Sequence, residues 1–217
     1  MTAAALVMAR APQPGRVKTR LEPLLGPDGC AMLQARLTAR AARLATDAAP
    51  GAAYMAVDPP DAAELMTDLA GDGVELFGQV GEQLGERLAA ATERVFERSD
   101  GPLVITGTDA PTITARHYTA ALGALGEGHD AAIGPALDGG YYLIALARPL
   151  PQLFAIPAAA WGGEEVLGLT LQAARSAGLR VGLIEPARDL DTPEDAAALL
   201  AEGGLPEEIA SLLRVQA

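Results

Sequence analysis

The sequence predicts an α/β protein in which a mostly parallel central sheet is covered by helices on both faces, as a three-layer α/β/α sandwich. Three observations predict this class. Short apolar runs alternate with longer segments of helical periodicity along the 217 residues. Half of the residues are hydrophobic and only 4% are aromatic, so Ala, Leu and Val must build the core. The length suits a single domain over residues 1–217.

Apolar runs, helical spacing and turn residues predict where the strands and helices lie along the chain. The clearest strand is the buried-type run PLVITG, and the strands in chain order are residues 3–8, 52–57, 74–77, 102–107, 131–134, 141–146 and 181–184. The helices carry apolar residues three and four positions apart, and they are residues 28–48, 62–70, 82–98, 114–125, 164–177, 193–201 and 205–213. Gly, Pro and Asp occupy the junctions.

Composition excludes several classes of partner. The formal net charge is −12, which argues against duplex nucleic acid or an anionic membrane, because both require broad basic surfaces. The one cysteine, Cys30, cannot form an internal disulfide, which fits a reducing compartment. No apolar run approaches the roughly 18–20 residues of a membrane span. The sequence therefore predicts a cytoplasmic protein, and nothing in it points to an oligomeric state.

A dense group of cations follows the first predicted strand, in the stretch ARAPQPGRVKTRL at residues 9–21. The prolines and the glycine in this stretch exclude a regular helix. In an acidic chain such a loop either lies in solvent or binds a local anion, and phosphate oxygens match Arg and Lys in charge and geometry. The candidate phosphate-binding residues are Arg10, Gly15, Arg16, Lys18 and Arg20, with Gly15 shaping the turn.

Three other polar stretches also follow predicted strands. They are Thr108-Asp109, Asp138-Gly139-Gly140 and Asp189-Leu190-Asp191. In parallel sheets, ligands bind beyond the carboxyl ends of the strands. If these strands are parallel, the three stretches and the cationic loop lie at the same crevice. Gln79, which follows the third strand, is a further candidate for this site.

Asp109 is the first candidate ligand for a divalent cation. A carboxylate directly after a buried strand either caps the next helix or binds a hard cation. Magnesium takes one or two protein carboxylates plus phosphate oxygens, so a second carboxylate is expected. The candidates for this second carboxylate are Asp138, Asp189 and Asp191, although Asp191 is also typical of a helix start. Gly139 and Gly140 allow the backbone to approach a ligand closely.

The remaining features either allow two interpretations or exclude a type of site. His117 and His129 have no partner at ligand or triad spacing and are expected at the surface. Trp161 is either a core anchor or a lid over an acceptor. The motifs GxSxG, GxxxxGK[ST], CxxC and HExxH do not occur, which excludes the nucleophile-elbow, P-loop and zinc explanations.

Several of these stretches resemble a known bacterial family. ARAPQPGRVKTRL, GQVGEQLGERL, VITGTDAPTI, GPALDGGYYLIAL, the Trp161 loop and DLDTPEDA occur in an order that resembles the DUF2064 family. This is a glycosyltransferase-A-like group often labelled as nucleotide-diphospho-sugar or arsenosugar-biosynthesis transferases. The first loop and DLDTPEDA also resemble 2-phospho-lactate guanylyltransferases, and the latter stretch resembles sugar-nucleotide cytidylyltransferases.

The resemblance implies the nucleotide-diphospho-sugar transferase (GT-A) fold, with phosphates near the first loop. It implies that Asp109 and Asp191 hold Mg²⁺ or Mn²⁺. Arg16, Lys18 and Arg20 would hold phosphate, with Lys18 and Asp109 stabilising the transition state. Asp138 would orient or deprotonate the acceptor.

The family label favours glycosyl transfer from a nucleotide-sugar to a small-molecule acceptor. One alternative is a nucleotidyltransferase that uses a nucleoside triphosphate and releases pyrophosphate. A different class of alternative is a non-catalytic nucleotide-binding module. The glycine-rich GxGxR form of the first loop that many sugar nucleotidyltransferases have is replaced here by Pro12-Gln13-Pro14-Gly15.

Overall fold

The computed structural model describes residues 2–214 and contains one seven-stranded sheet. Its strands are β1 Ala4–Arg10, β2 Ala53–Asp58, β3 Val74–Gly78, β4 Leu103–Thr106, β5 Ala131–Pro135, β6 Tyr141–Leu146 and β7 Val181–Leu183. The order across the sheet is β3-β2-β1-β4-β6-β5-β7. Within the described residues β6 alone runs antiparallel to its neighbours. The predicted α/β fold with a mostly parallel sheet is confirmed.

The helices cover both faces of the sheet. They are α1 Glu22–Ala48, α2 Thr67–Ala70, α3 Leu84–Phe96, α4 Ala115–Gly126, α5 Val166–Ser176, α6 Pro193–Glu202 and α7 Glu207–Arg214, with short 3-10 turns between some of them. Residues of α1, α2 and α4 pack on one face, and residues of α3 and α5 pack on the other. A third apolar cluster joins α1 to α6 and α7. Across residues 2–214, every helix is too short or too polar to cross a membrane.

The first helix begins earlier than predicted. Helical residues start at Glu22, but Gly26 has φ 67° and ψ 169°, so the helix is kinked there. Pro27 then stands in the first turn of the second segment, where a missing N–H costs no hydrogen bond. The sequence pattern located this second segment and missed the short turn before the kink.

His117 is buried, which corrects the expectation that it lies at the surface. Its side chain is 5% exposed and its ring meets Tyr142 edge-on at 5.7 Å. His117 is the third residue of α4, and its Nδ1 accepts the backbone N–H of Thr114 at 3.0 Å. The ring thus completes a capping box that satisfies an otherwise unpaired donor. Burial, and to a lesser extent the charge of Arg116, lowers the pKa of His117.

The lowered pKa makes the fold sensitive to acid. As pH falls below the ordinary histidine value of about 6.5, the unfolded chain takes up this proton before the folded chain does, so stability is lost. Gln in the same position can accept the Thr114 N–H and does not titrate. We expect His117→Gln to lose less stability than the wild type between about pH 7.5 and pH 5 in urea unfolding. Equal losses in the two proteins would contradict this role.

Candidate active site

A cleft of about 660 Å³ lies at the carboxyl ends of β1 to β4. This volume is within the range of about 300–1,000 Å³ that small-molecule sites occupy. Both signs of charge line it, with five cations and four anions in a chain of net charge −12. The charged lining residues are Arg10, Arg16, Lys18, Arg20, Arg87, Asp58, Glu82, Asp109 and Asp191. The cleft is therefore locally richer in cations than the protein as a whole.

The topology brings the four predicted stretches to one edge of the sheet. β1 pairs with β4 in parallel. β4 and β5 are both antiparallel to β6, so β5 runs in the direction of β4, and β7 is parallel to β5. The loops after β1, β4, β5 and β7 consequently emerge on the same side. The cationic loop, Thr108-Asp109 and Asp191 line the cleft, whereas the turn after β5 lies outside its lining.

The start of the cationic loop is a tight turn. Gly15 has φ 72°, a left-handed conformation that glycine adopts without steric cost, and Arg16 N–H donates to the Gln13 carbonyl at 3.0 Å. Gly15 does not line the cleft, so its observed role is to shape the turn. Arg16 is exposed, lines the cleft and has no ion-pair partner within residues 2–214. It is therefore available to an anionic ligand.

Lys18 is the most constrained residue of the loop. Its φ of 49° is the only positive value among the described residues other than glycine. Its side chain is 4% exposed, and its ammonium group donates to the Asp109 carboxylate, to Asp191 Oδ1 at 2.8 Å and to the Leu190 carbonyl at 3.0 Å. All three N–H donors of the ammonium are thereby engaged. Burial alone would lower the pKa of Lys18. The negative charges of Asp109 and Asp191 outweigh this effect, so the pKa of Lys18 is raised.

The two neighbouring arginines differ from Lys18 in exposure. The Arg20 side chain is 67% exposed and donates to Asp191 Oδ2 at 2.9 Å. Arg10, at the end of β1, is also exposed, and its Nε lies 3.4 Å from Asp58 Oδ2. Arg87 of α3 approaches the same Asp58 oxygen at 3.1 Å. The pairs of the exposed Arg10 and Arg20 contribute little to stability and can be exchanged for a ligand.

Asp109, Asp189 and Asp191 lie near Lys18, and a fourth carboxylate, Asp138, acts on Asp189. Asp191 is held ionised, because the charge and hydrogen bond of Lys18 and the charge of Arg20 outweigh burial and lower its pKa. Asp189 behaves oppositely. Burial and the charges of Asp109, Asp138 and Asp191 raise the pKa of Asp189 to about 8, although Lys18 acts in the other direction. Asp189 Oδ1 is buried and has no hydrogen-bond partner.

An unpartnered buried carboxylate oxygen among like charges fits a site for a cation. In the part of the chain that the structure describes, no three His, Cys, Asp or Glu side chains are arranged to hold a metal ion by themselves. A site of one or two carboxylates that is completed by substrate phosphates matches the usual habit of Mg²⁺. The residues present fit a divalent cation on those terms.

Gln79 and Thr108, both predicted at the site, make internal hydrogen bonds. Gln79 Nε2 donates to the Ala56 carbonyl at 3.0 Å and the Ala9 carbonyl at 3.3 Å, which ties β1 to β2. Thr108 Oγ1 accepts from Gln34 Nε2 at 3.1 Å. Both residues are buried at the cleft wall. Their side chains therefore hold the wall in place.

Sequence reasoning missed Gln34. Its Nε2 also lies 3.2 Å from the Arg10 carbonyl, so one buried amide of α1 joins the end of β1 to the residue before Asp109. A signal was present, because Gln34 stands at helical spacing from buried Cys30, Leu37 and Thr38. A polar side chain on an apolar helix face needs a partner inside the protein.

The turn after β5 packs against the segment before α5. Asp138 Oδ1 accepts the Gly140 N–H at 2.9 Å. Gly139 has φ 93°, and a Cβ there would lie 2.2 Å from the Glu164 carbonyl oxygen. Asp138, Gly139 and Gly140 do not line the cleft, and Asp138 reaches the site through its charge on Asp189. The structure thus shows a packing role for Gly139.

Trp161 stands behind the cleft wall. Its ring meets Tyr141, a lining residue, edge-on at 6.5 Å. A Cβ at Gly85 would lie 2.8 Å from Trp161 Nε1, so α3 requires glycine at this contact. Of the two interpretations of Trp161, this geometry matches the anchor.

Known proteins share this fold and parts of this sequence. The DUF2064 family, described as uncharacterized protein conserved in bacteria, matches residues 33–162. A phosphoenolpyruvate guanylyltransferase of Rubrobacter xylanophilus is 36% identical over 203 residues, which is 87% of this chain and 89% of that protein. A crystal structure from Desulfovibrio desulfuricans G20, described as a candidate nucleotide-diphospho-sugar transferase, has a TM-score of 0.86 and 30% identity, covering 100% of this chain and 99% of that one.

More distant structures show the fold alone. A CMP:2-keto-3-deoxy-manno-octonic acid synthetase in complex with CTP has a TM-score of 0.58 and 18% identity, covering 93% of this chain and 99% of that one. A Mycobacterium tuberculosis H37Rv protein in complex with manganese has a TM-score of 0.54 and 17% identity, covering 94% of this chain and 100% of that one. The family match and the two relatives of at least 30% identity show that this chain is a transferase with the nucleotide-diphospho-sugar transferase fold and belongs to the DUF2064 family.

Proposed function

We propose that the protein is a metal-dependent nucleotidyltransferase. It transfers the nucleoside monophosphate part of a nucleoside triphosphate to a small anionic acceptor and releases pyrophosphate. The observation that carries this proposal is that Arg10, Arg16 and Arg20 line the same cleft as Asp109 and Asp191. Cations for phosphate and carboxylates for a metal ion are the two parts that phosphoryl chemistry needs.

Glycosyl transfer, which the family label favoured, is the second candidate. The guanylyltransferase relative supports nucleotidyl transfer, whereas the description of the Desulfovibrio structure supports a nucleotide-sugar as substrate. Both reactions use a nucleotide and develop negative charge on phosphate oxygens. They differ in the bond that breaks and therefore in the product, which is pyrophosphate in one case and a nucleoside diphosphate in the other. Relatives that are transferases favour both over a non-catalytic module.

In this proposal the arginines and the carboxylates have separate roles. Arg16 and Arg20, both exposed at the cleft, bind phosphate oxygens and stabilise charge that develops on the leaving group. Asp109 and Asp191 or Asp189 hold Mg²⁺ or Mn²⁺, which would neutralise phosphate charge and orient the phosphates for attack. A phosphate or carboxylate acceptor is already ionised at neutral pH, so the reaction needs no general base. The excess of cations in the cleft suits an anionic acceptor.

Product analysis tests the reaction type. We expect pyrophosphate and a nucleotidylated acceptor to form in equal amounts from one nucleoside triphosphate in a panel, with acceptors such as phosphoenolpyruvate and other small phosphorylated acids. The reaction should stop with EDTA and resume with excess Mg²⁺ or Mn²⁺. If a nucleoside diphosphate is released from a nucleotide-sugar, and no triphosphate yields pyrophosphate, glycosyl transfer is the correct function.

Asp109 should be required for the reaction. Removing its charge in Asp109→Asn is expected to lower kcat/KM about 10²- to 10³-fold, because the metal would lose a charged ligand. Asp130→Asn is the matched control, since Asp130 precedes β5 at the opposite edge of the sheet and pairs with Arg148. Steady-state kinetics of both variants provide the measurement. A loss in Asp109→Asn no greater than in the control would contradict the assignment.

The Asp189 carboxylate should lower the free energy of unfolding of the metal-free protein. With a pKa of about 8 in the folded state and about 4 in the unfolded state, it takes up a proton on folding, and stability falls as pH rises through this window. We expect Asp189→Asn to raise the free energy of unfolding in EDTA at about pH 7.5 by about 1–3 kcal/mol. Urea unfolding measures this change.

The matched control for this measurement is again Asp130→Asn. Asp130 accepts hydrogen bonds from Arg148 and from the Arg180 backbone N–H, and these lower its pKa. Its replacement should therefore reduce stability, opposite in sign to Asp189→Asn. A destabilised Asp189→Asn protein would show that the Asp189 carboxylate has a stabilising partner in solution.

A further inference from the structure

Lys18 is the only lysine of the chain, in which the other fifteen of the sixteen Lys and Arg residues are arginine. The two side chains are not equivalent. Lysine ends in a compact point charge with three donors, whereas arginine ends in a planar fork. Everywhere that this chain presents a basic group to solvent or to a surface carboxylate, it uses arginine. The single ammonium group lies between two carboxylates at the candidate metal site.

The Lys18 ammonium occupies the place that a metal ion bound by both Asp109 and Asp191 would take. Lys18 Nζ contacts the carboxylates of Asp109 and Asp191 at once, and its third donor meets the Leu190 carbonyl. These acceptors are oxygen atoms, the ligand type that Mg²⁺ and Mn²⁺ prefer. The Lys18 side chain is 4% exposed, so it fills the space between the carboxylates.

The backbone of Lys18 is also in an unusual state. A φ of 49° is disfavoured for a residue with a side chain and persists only where the surroundings hold it. The ammonium contacts with the two carboxylates and the Leu190 carbonyl hold the side chain, and the Lys18 carbonyl accepts hydrogen bonds from Leu21 N–H at 2.8 Å and from Cys30 Sγ at 3.2 Å. If another cation takes over the carboxylates, the side chain loses its contacts while these backbone hydrogen bonds remain.

We propose that the Lys18 ammonium is a resident counter-ion that a divalent cation displaces. Without a metal ion, Lys18 neutralises Asp109 and Asp191 and keeps the strand ends together. When the metal ion binds these carboxylates, Lys18 leaves them and its charge becomes available to the nucleotide phosphates in the same cleft. This inference rests on the metal site of the proposed function and adds an exchange, in which the metal ion takes the place of the Lys18 ammonium.

The exchange makes metal and nucleotide binding cooperative. A metal ion that binds alone must displace an ammonium and leave it without a partner, so its affinity is low. A nucleotide supplies phosphate oxygens both to the metal ion and to the released Lys18. Each ligand therefore raises the affinity of the other by the same factor, as linkage requires.

Metal titration without nucleotide tests the exchange. We expect Lys18→Met to bind Mn²⁺ about tenfold more tightly than the wild type, within the roughly 5- to 150-fold range of coupled sites. Arg20→Met is the matched control, because it removes the same charge from the same carboxylate, Asp191, at an exposed position. Its Mn²⁺ affinity should rise by a smaller factor. Isothermal titration calorimetry, or electron paramagnetic resonance of free Mn²⁺, measures the affinities.

The outcomes separate this inference from the proposed function. If the wild type binds Mn²⁺ with a nucleoside triphosphate present, but Lys18→Met binds Mn²⁺ alone no more tightly than the wild type or Arg20→Met, the exchange is wrong and the metal site stands. If the wild type binds no Mn²⁺ even with the triphosphate, the metal site of the proposed function fails, and the exchange fails with it.

A measurement on the wild type covers the case in which Lys18→Met does not fold. Lys18 carries the only ε-amino group in the chain, so an amine-selective reaction such as reductive methylation reports on it directly. With the α-amino group as internal reference, we expect the Lys18 rate to rise severalfold when Mn²⁺ is added without nucleotide. An unchanged Lys18 rate at a Mn²⁺ concentration that saturates the site would overturn the exchange.

Discussion

The ammonium group of Lys18 connects parts of the chain that are far apart in sequence. It reaches Asp109, which is 91 residues away, and Asp191, which is 173 residues away. The Leu190 N–H donates to the Asp109 carbonyl at 2.8 Å, so the backbone reinforces the same junction. The Lys18 side chain is 4% exposed, so removing either carboxylate leaves a buried ammonium less well compensated. The arrangement of the cleft therefore depends on this charge balance.

Apolar anchors hold the charged loops against that junction. Leu21 directly follows Arg20, and Leu190 separates Asp189 from Asp191, and both leucines are fully buried in the cluster formed with α6 and α7. Each leucine packs into the core, while the adjacent Arg20 and Asp191 line the cleft. The sequence DLD thus serves two purposes, one in packing and one in charge placement. Gln34 adds a polar anchor between the end of β1 and Thr108.

Much of the fold could be predicted from the sequence, because helical and strand periodicities report directly on burial. The parallel direction of β1, β4, β5 and β7 followed from the alternation of strands and helices, and it placed the four loops on one side of the sheet, although the turn after β5 lies outside the cleft. Contacts within the site could not be predicted in this way. Neither Lys18 bound to two carboxylates nor Asp189 without a partner leaves a periodic signal, since both depend on distances across the sheet. His117 was misjudged because a lone polar residue gives no sign of burial.

One signal for Lys18 was nevertheless in the composition. A chain that uses arginine at fifteen positions and lysine at one distinguishes between the two side chains at that one position. Asp109, Asp189 and Asp191 would repel one another at the sheet edge of a protein with net charge −12, so the chain must neutralise them while it folds. A guanidinium would neutralise them through a fixed bidentate fork. An ammonium on a flexible stem gives the same neutralisation and, as a single compact charge, is suited to yield its place to another small cation.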